Sequence, residues 1–441
     1  MKILLVAPPS GSKRLFVSPP LGLMYIASAL KKASHEVDIA DLYSFDLNPD
    51  YSKYDFVGIT GMDFLHDSIL EIAKEVKDTN KDILVGVGGS HATAMPELLL
   101  EDDNIDFVFR GEFEESIKAV FNWKTLEGVC VKGHISNAVT VKNLDGIPFP
   151  DWNEETIKKY SKSSHHGFFY EKQPVIPIIT SRSCPYNCTY CAGHVVSGKI
   201  WRPHSPERVL EEIDNLVNLG MKELHIEDDN FCLSLPRAES ILKRIINQNY
   251  DLAISFPNGI RIDLLNDNVL SLMRKAGVYS LTFGIESGSP KIQKMTRKGL
   301  NLDFVRKQIA TVKEHDFYTQ AFFILGFPYE TEDDMKATIE YAKSLKLDSA
   351  FFGTFVPLAG SEDFNNLVEV HRIDIHTLDW SRLSSTNPFA SSLSEKTIEK
   401  HLHKAYRQFY FRPSIVYRNI RRLKNIKQLR LLSSRLGGLL G

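Results

Sequence analysis

Residues 1–110 alternate between short apolar runs and segments whose apolar residues recur every three or four positions. The runs predict buried strands, and the periodic segments predict helices with one buried face. The predicted strands are Ile3–Ala7, Val37–Ala40, Phe56–Thr60, Ile83–Val87 and Phe107–Arg110, and the predicted helices are Leu21–Lys32, Ser68–Lys77 and Pro96–Glu101. This alternation predicts a doubly wound α/β domain over residues 1–140, with a ligand crevice at the carboxyl ends of its parallel strands.

The pattern is lost near residues 142–164, which contain Gly146, Pro148 and Pro150. Because these residue types favour turns and loops, we expect residues 141–172 to be a linker between two domains.

Alternation resumes after the linker. The predicted strands are Val175–Thr180, Glu223–Glu227, Ala253–Pro257, Leu281–Ile285, Gln320–Leu325 and Ser349–Phe355, and the helices between them include Pro206–Leu219, Leu270–Ala276, Leu302–His315 and Glu332–Leu345. Repeated strand–helix units over residues 173–360 predict a partial (β/α)6 TIM barrel, with its chemistry at the carboxyl ends of the strands.

Residues 361–441 are predicted to form a small helical C-terminal region that includes a helix over Glu395–Phe411. From Arg412 onward the chain carries eight Arg or Lys residues and no Asp or Glu. Apolar residues recur there at helical spacing, which predicts an amphipathic helix with a basic face. Two interpretations stay open for 412–441: packing on the barrel with a solvated cationic face, or peripheral contact with an anionic membrane.

Composition narrows the class of protein. The 53 Lys and Arg residues nearly balance the 55 Asp and Glu residues, so no overall field attracts nucleic acid, and we expect no nucleic-acid partner. The apolar run before Pro8 is too short for the core of a signal peptide and is better interpreted as a strand. We therefore expect a cytoplasmic protein, with attachment to the inner face of the membrane left open by the basic tail.

The clustered cysteines carry the strongest chemical signal. Three of the five cysteines, Cys184, Cys188 and Cys191, follow a predicted strand with the spacing C-x3-C-x2-C. Three thiolates can hold three irons of a [4Fe-4S] cluster, which ordinarily takes four cysteine ligands, and thus leave one iron open. The alternative is a tetrahedral zinc site with His194 as the fourth ligand.

This loop resembles the signature of the radical S-adenosylmethionine (SAM) superfamily, whose fold is a partial TIM barrel. Downstream segments match the superfamily in order: Glu227–Phe231, Asn258–Asp263, Gly284–Gly288 and Ile324–Pro328. The resemblance implies SAM contacts by Tyr190, Glu227, Asp228, Arg261, Glu286, Ser287 and Gly326. Each segment also has a structural alternative, because carboxylates can cap helices, glycines can serve turns and an arginine can form a surface ion pair.

Residues 1–140 resemble the flavodoxin-like cobalamin-binding domain that precedes the barrel in many radical SAM enzymes. The implied cobalamin contacts are Leu21, Gly22, Thr60, Gly61, Gly88, Gly89, Ser90, His91, Gly111 and Glu112. The D-x-H-x-x-G motif of many cobalamin proteins is absent, so we expect no histidine ligand below the cobalt. The alternative is a scaffold of this fold that has lost the cofactor and serves protein contacts.

The resemblance implies a radical SAM enzyme that uses a [4Fe-4S] cluster, SAM and cobalamin to methylate an unactivated carbon. The implied partners are a small-molecule or lipid-like substrate and an electron donor such as flavodoxin or ferredoxin. The other hypotheses are an oxidative cyclase of the anaerobic magnesium-protoporphyrin ester cyclase type, a cobalamin-free radical SAM enzyme, and a cobalamin sensor with an inactive barrel. No catalytic side chain can be assigned from the sequence. Methylthiolation of tRNA is disfavoured, because residues 1–140 contain only Cys130 and no cysteine set for a second cluster.

Overall fold

The computed structural model of the chain describes residues 1–10, 17–117, 126–161, 170–383 and 390–422. Its strands are β1 Lys2–Ala7, β2 Glu36–Asp41, β3 Phe56–Thr60, β4 Leu84–Gly88, β5 Phe107–Phe109, β6 Val129–Cys130, β7 Val175–Ile178, β8 Ser181–Arg182, β9 Arg202–Pro203, β10 Glu223–Ile226, β11 Ala253–Ile260, β12 Val278–Glu286, β13 Tyr318–Leu325 and β14 Ser349–Thr354. Its helices are α1 Leu21–Lys32, α2 His66–Thr79, α3 Ser90–Ala94, α4 Pro96–Leu99, α5 Glu154–Tyr160, α6 Gly193–Ser197, α7 Pro206–Asn218, α8 Leu235–Gln248, α9 Asp267–Lys275, α10 Pro290–Met295, α11 Leu302–Glu314, α12 Glu332–Ser344, α13 Glu362–Glu369, α14 Glu395–Tyr410 and α15 Pro413–Arg422.

The N-terminal sheet has the strand order β2-β1-β3-β4-β5-β6, and only β6 runs antiparallel to its neighbour. The order 2-1-3-4-5 is that of flavodoxin-like folds. Side chains of β1 alternate between two hydrophobic cores, with Ile3 and Leu5 in one and Leu4 and Val6 in the other. Since both faces of the strand are buried, it must be apolar throughout, as the sequence pattern indicated. The predicted doubly wound domain is confirmed.

The second sheet contains six parallel strands in chain order, β7-β10-β11-β12-β13-β14, with β7 and β14 at its edges. Helices α7, α8, α9, α11 and α12 connect successive strands after β7, which is the arrangement of a partial (β/α)6 barrel. The predicted fold class is therefore confirmed. The strands β8 and β9 form a short antiparallel pair between β7 and α7, which the sequence did not indicate.

Helix α14 covers the edge strand β14 through two tyrosine hydroxyls. Tyr406 accepts a hydrogen bond from the amide of Phe352 at 3.1 Å and donates one to the carbonyl of the same residue at 2.8 Å. Tyr410 pairs with Ala350 in the same way, at 3.2 and 2.9 Å. Backbone groups that an open sheet edge would leave unpaired are thus satisfied, and the C-terminal region completes the barrel.

Helix α15 lies at the amino ends of the barrel strands. The hydroxyl of Tyr318, the first residue of β13, donates to Asn419 Oδ1 at 2.9 Å, and Asn419 Nδ2 donates to the carbonyl of Asp348, just before β14, at 3.0 Å. The outward side chains Val416, Tyr417 and Ile420 are exposed. The predicted basic helix is confirmed as far as Arg422, and residues 423–441 lie outside the described part of the chain. Within the described ranges, every helix is too short or too polar to span a bilayer.

Candidate functional site

The cysteine loop follows β7 and β8, at the carboxyl edge of the barrel. Cys184, Cys188 and Cys191 are all partly exposed. The pKa of Cys191 is raised to about 11, mainly by burial and in smaller part by the nearby Cys188, Asp229 and Cys184. Three thiols that interact in one loop provide the donor set of a [4Fe-4S] cluster with one open iron. Binding iron would draw these thiols into the thiolate form.

The zinc alternative requires four ligands around a single ion. Among the residues that the structure describes, no three His, Cys, Asp or Glu side chains are grouped closely enough to hold one metal ion. His194 interacts instead with Lys199 and Glu362. The pKa of His194 is lowered, mainly by burial and then by the positive charge of Lys199.

A large cleft joins the carboxyl edges of the two sheets. It measures about 1240 Å³, including the part open to solvent. Its N-terminal wall is formed by Gly22, Tyr25, Phe56, Gly58, Thr60, Gly86, Gly88, Gly89, Phe109, Gly111 and Glu112, among others, and its barrel wall by Ile179, Ser181, Arg182, Val196, Ser197, Glu227 and Asp229. The crevice of the first domain therefore faces the mouth of the barrel, beside the cysteine loop.

Glycines form much of the N-terminal wall of the cleft. A Cβ built on Gly22 meets no atom within 4 Å, and one built on Gly88 meets only the Phe109 Cβ at 3.9 Å. The missing side chains therefore leave room for a bulky ligand to approach the backbone. Gly89 differs, because its φ of +96° and a distance of 2.7 Å from a built Cβ to Thr60 Oγ1 show a tight turn. This cradle fits a large planar ring such as the corrin of cobalamin.

Six of the ten predicted cobalamin contacts line this cleft: Gly22, Thr60, Gly88, Gly89, Gly111 and Glu112. Leu21, Gly61, Ser90 and His91 are not among its lining residues, and their contact with cobalamin stays a prediction. The reason that they do not line the cleft is clearest at His91, whose ring is fully buried. Its Nδ1 lies 2.9 Å from Asp63 Oδ1 and its Nε2 lies 2.9 Å from His66 Nδ1, so both ring nitrogens are engaged below the cleft.

Glu112 lines the cleft, but its carboxylate is bound to the protein. Arg202 Nη1 and Nη2 lie 2.5 and 2.9 Å from its two oxygens, and the Val141 amide donates to it at 2.7 Å. Beside it, Arg182 pairs with Glu114 at 2.7 Å. These ion pairs connect the first domain to the barrel, so Glu112 joins the two walls of the cleft.

The three consecutive carboxylates after β10 divide into two kinds. Asp228 is buried and accepts bonds from the Thr180 amide at 2.5 Å, the Thr180 hydroxyl at 2.7 Å and the Ser181 hydroxyl at 2.5 Å. The Asp228 carboxylate thus holds β10 to the start of the cysteine loop, and its contact with SAM stays a prediction. Glu227 and Asp229 line the cleft, and burial raises the pKa of both.

Asp229 was missed by the sequence analysis, although it stands in the same acidic run. It accepts a hydrogen bond from the amide of Ser183 at 3.0 Å, one residue before Cys184. The run itself was a sufficient signal for a functional segment, but not for the direction of each side chain.

Charged groups of the barrel lie next to the cysteine loop. The Arg261 guanidinium lies 3.7 Å from the centre of the Tyr186 ring and pairs with Asp263 at 2.8 Å. Glu286, at a φ of +67°, pairs with Lys298 at 3.1 Å. Burial alone would lower the pKa of Lys298, but Glu286 and Cys188 raise it above its ordinary value. Arg261 and Glu286 are thus placed where SAM contacts were predicted, and Lys298 joins them as a residue that the sequence analysis missed.

The remaining predicted SAM contacts lie at the ends of β12 and β13. The Ser287 hydroxyl is buried, lies 3.0 Å from the Thr338 hydroxyl and accepts a hydrogen bond from the Ser289 amide. It therefore links the end of β12 to α12, and its contact with SAM stays a prediction. Tyr190 packs against Phe327, with ring centroids 5.8 Å apart.

Gly326 adopts a φ of +86° in the turn after β13. Glu330 holds this turn by accepting hydrogen bonds from the amides of Gly326 at 2.5 Å and Phe327 at 3.1 Å. Outside the site proper, Cys232 is fully buried, and burial raises the pKa of its thiol to about 12, as expected of an inert core thiol.

Comparison with known proteins agrees with both the N-terminal domain and the barrel. The family model of the radical SAM superfamily matches residues 178–342, and that of the B12 binding domain matches residues 11–121. An uncharacterised methyltransferase of Pyrococcus horikoshii is 33% identical over an alignment of 447 positions that covers 95% of each chain. The chain belongs to the B12-binding radical SAM family.

Other relatives in the B12-binding radical SAM family differ in their reactions. Cytidylyl-2-hydroxyethylphosphonate methyltransferase of Streptomyces wedmorensis is 26% identical, over 78% of this chain and 76% of the relative. Anaerobic magnesium-protoporphyrin IX monomethyl ester cyclase of Rubrivivax gelatinosus is also 26% identical, over 89% and 74%.

Solved structures of this kind share the fold. The cobalamin-dependent SAM radical enzyme OxsB with aqua-cobalamin and SAM bound superposes with a TM-score of 0.73 at 16% identity, over 99% of this chain and 70% of OxsB. The radical SAM methyltransferase TsrM of Kitasatospora setae, with cobalamin and a [4Fe-4S] cluster bound, gives a TM-score of 0.69 at 17% identity, over 91% of this chain and 85% of TsrM.

Proposed function

We propose that the protein is a methyltransferase that transfers a methyl group from SAM to an unactivated carbon of a small molecule. In this proposal a [4Fe-4S] cluster is held by Cys184, Cys188 and Cys191, and cobalamin occupies the cleft. The observation that carries it is the shared cleft, because its glycine-rich wall faces a barrel wall that includes Arg182 and Asp229, next to the cysteine loop. When bound, the cluster and SAM supply a radical that abstracts hydrogen from carbon, and cobalamin supplies the methyl group.

The residues of the chain position these groups and exclude water. Gly22 and Gly88 leave space on one wall, while Glu227 and Asp229 present carboxylates from the other. Arg261 and the Glu286–Lys298 pair lie beside the cysteine loop, where complementary charges suit the amino and carboxyl groups of an amino-acid cosubstrate. The cleft-lining residues that the structure describes include no histidine.

The proposal can be tested before the substrate is identified. Anaerobically reconstituted protein should bind iron and cobalamin, form 5′-deoxyadenosine from SAM under reduction, and methylate reduced cobalamin with SAM, as monitored by absorbance. Cys184→Ala should lose the 5′-deoxyadenosine while keeping the fold, as judged by circular dichroism. Native-rate SAM cleavage by Cys184→Ala, or zinc in place of iron, would overturn the proposal.

The cyclase relatives motivate one competing outcome, and it has a distinct signature. Mass spectrometry of a product with one added methylene supports methylation, whereas loss of hydrogen or gain of oxygen supports cyclisation. Protein that cleaves SAM but retains no cobalamin would support the cobalamin-free alternative.

We also infer a division into a cobalamin-binding domain over 1–140, a linker over 141–172, the barrel over 173–360 and a helical region over 361–441. The ranges of the two family matches support this division. The hydrogen bond from the Val141 amide to Glu112 ties the start of the linker to the first domain.

Peripheral membrane contact through residues 412–441 is a further part of the proposal. The exposed apolar side chains Val416, Tyr417 and Ile420 of α15, together with the acid-free basic tail, support it. The full chain should sediment with vesicles that contain anionic lipid and not with neutral ones. Val416→Asp combined with Ile420→Asp should abolish that binding. Equal binding of the variant to the anionic vesicles would contradict the proposal.

A further inference from the structure

A basic surface lies next to the cysteine loop. Residues 291–298 contain four cations and no carboxylate. Lys291, Lys294, Met295 and Arg297 are exposed there, and together they form what we call the α10 patch. The patch stands out because the whole chain is nearly neutral, with a net charge of −2, so any electrostatic attraction of a partner must be local.

The α10 patch is connected directly to the cysteine loop. The Thr296 carbonyl, between Met295 and Arg297, accepts a hydrogen bond from the Thr189 amide at 3.0 Å. Thr189 follows Cys188, one of the proposed cluster ligands. A single hydrogen bond and the adjoining peptide groups therefore separate the patch from that ligand. On the other side of Thr296, Lys298 interacts with Cys188.

Two residues of the patch are of types that are enriched at protein–protein interfaces. Met295 is 41% exposed between cationic neighbours, and methionine and arginine are both enriched at interfaces. Arg297 pairs with Glu362 and Lys291 with Asp334, whereas Lys294 has no carboxylate partner within the described ranges. The cysteine loop reaches the same surface, because Pro185 and Asn187 are also exposed.

Helix α15 also carries basic and exposed apolar side chains, but it lies at the opposite end of the barrel from the cysteine loop. Helix α15 contacts the amino ends of β13 and β14, whereas the cysteine loop lies at the carboxyl edge. The α10 patch combines positive charge, an exposed apolar side chain and contact with the cysteine loop.

We propose that the α10 patch docks a small acidic protein that donates single electrons to the cluster. This inference rests on the proposed function, which requires a reduced cluster. With a flavodoxin as donor, the anionic flavin hydroquinone loses one electron and becomes the neutral semiquinone. The cluster held by the cysteines gains that electron, and no proton is transferred. Charge complementarity between an acidic donor and the patch accelerates the encounter and is screened by salt.

The test compares Lys294→Glu with Lys307→Glu. Both side chains are exposed lysines on helices, and both changes alter the net charge by the same amount, but Lys307 belongs to α11 and is not part of the patch. Photoreduced flavodoxin is mixed anaerobically with each reconstituted protein, and cluster bleaching is followed by stopped-flow absorbance. We expect Lys294→Glu to lower the second-order rate at low salt by about three- to tenfold and to flatten its salt dependence, because charges at an interface rim act mainly on association. Lys307→Glu should behave as wild type.

Two further measurements separate the possible failures. Dithionite, which needs no docking surface, should support equal 5′-deoxyadenosine formation in the wild type and in both variants. If dithionite gives no 5′-deoxyadenosine in the wild type, the proposed function is wrong. If dithionite supports SAM cleavage but Lys294→Glu and Lys307→Glu are reduced by flavodoxin at equal rates, the proposed docking surface is wrong. Met295→Ala, which changes no charge, should slow reduction at limiting flavodoxin and leave the dithionite reaction unchanged. An unchanged rate with flavodoxin would remove the apolar part of the proposal.

Discussion

At the scale of single residues, neighbours in the chain have different roles in the site. Asp228 is bound by Thr180 and Ser181 and is buried, whereas Asp229, the next residue, lines the cleft. The acidic run predicted a functional segment, but the direction of each carboxylate depends on which hydroxyl groups the folded β7–β8 segment presents to it. That information is not local in the sequence.

Asp228→Asn should destabilise the fold more than Asp229→Asn. Asparagine offers one acceptor oxygen where Asp228 receives three hydrogen bonds, so we expect a loss of about 2 kcal/mol in the free energy of unfolding. Asp229→Asn should change stability by less than about 1 kcal/mol, because one bond from the Ser183 amide can persist. Urea denaturation of both variants checks the difference, and equal losses would contradict the assigned roles.

Glu330 predicts a pH dependence of stability. Burial raises its pKa from 4.5 to about 8, although the Gly326 and Phe327 amides oppose the shift. The folded state therefore holds this proton more tightly than the unfolded chain. Its contribution to stability is complete below pH 4.5 and is lost as the pH rises toward 8. Relative to wild type, Glu330→Gln should gain at least about 1 kcal/mol between pH 5 and pH 8. Parallel stability profiles from urea denaturation would show that Glu330 is not the titrating group.

At the scale of elements, the hydrophobic pattern was a good guide wherever a run ended at a polar or turn residue. Helix α1 and strand β3 have the predicted bounds. Strand β11 was predicted to end at Pro257, yet it continues to Ile260. Proline cannot donate a hydrogen bond to a sheet ladder, so its presence inside the strand needs an explanation. The register between β11 and β12 shifts between Phe256 and Ile260, so an irregular pairing accommodates the proline. The two-residue strands β8 and β9 are too short to leave a periodic signal.

The contact of β12 with α12 should tolerate no added side chain at Gly288. A Cβ there would lie 2.3 Å from the Tyr341 Cβ and 2.9 Å from the Ala337 carbonyl oxygen. The Ala337 carbonyl and the Tyr341 Cβ are held in helix α12 and cannot move aside without distorting it. Gly288→Ala should therefore destabilise the protein by about 2 kcal/mol. Gly146→Ala, whose nearest atom would be 3.8 Å away, is the matched control and should be nearly neutral. Thermal denaturation of both variants decides the point.

At the scale of the whole molecule, the cleft exists because charged groups far apart in sequence join its walls. Arg202 and Glu112 are separated by 90 residues, and the hydrogen bond from the Ala359 amide to Asp63 Oδ2 spans 296 residues. No local pattern marks such pairs, so the sequence predicted a crevice in each domain but not what holds the two together. His91 shows the same limit, because its motif suggested a ligand contact and its partners proved to be Asp63 and His66.

Replacing one partner of the Arg202–Glu112 pair should lower the free energy of unfolding more than replacing both. The Arg202 and Glu112 side chains are 10% and 4% exposed, so Arg202→Met leaves a buried carboxylate with fewer donors. We expect a loss of about 3 kcal/mol for Arg202→Met, partly recovered in Arg202→Met combined with Glu112→Gln. Thermal unfolding of the single and double variants measures this coupling. A double variant no more stable than Arg202→Met alone would contradict it.

The placement of α15 has a consequence for how substrate arrives. Strand β13 has eight residues, so the amino edge that α15 covers lies about 25 Å from the carboxyl edge where the cleft opens. A bilayer under α15 would face the closed end of the barrel, with the mouth turned to the aqueous side. An apolar substrate dissolved in that leaflet could not diffuse laterally into the cleft. Its delivery would need a soluble carrier or a water-compatible head group.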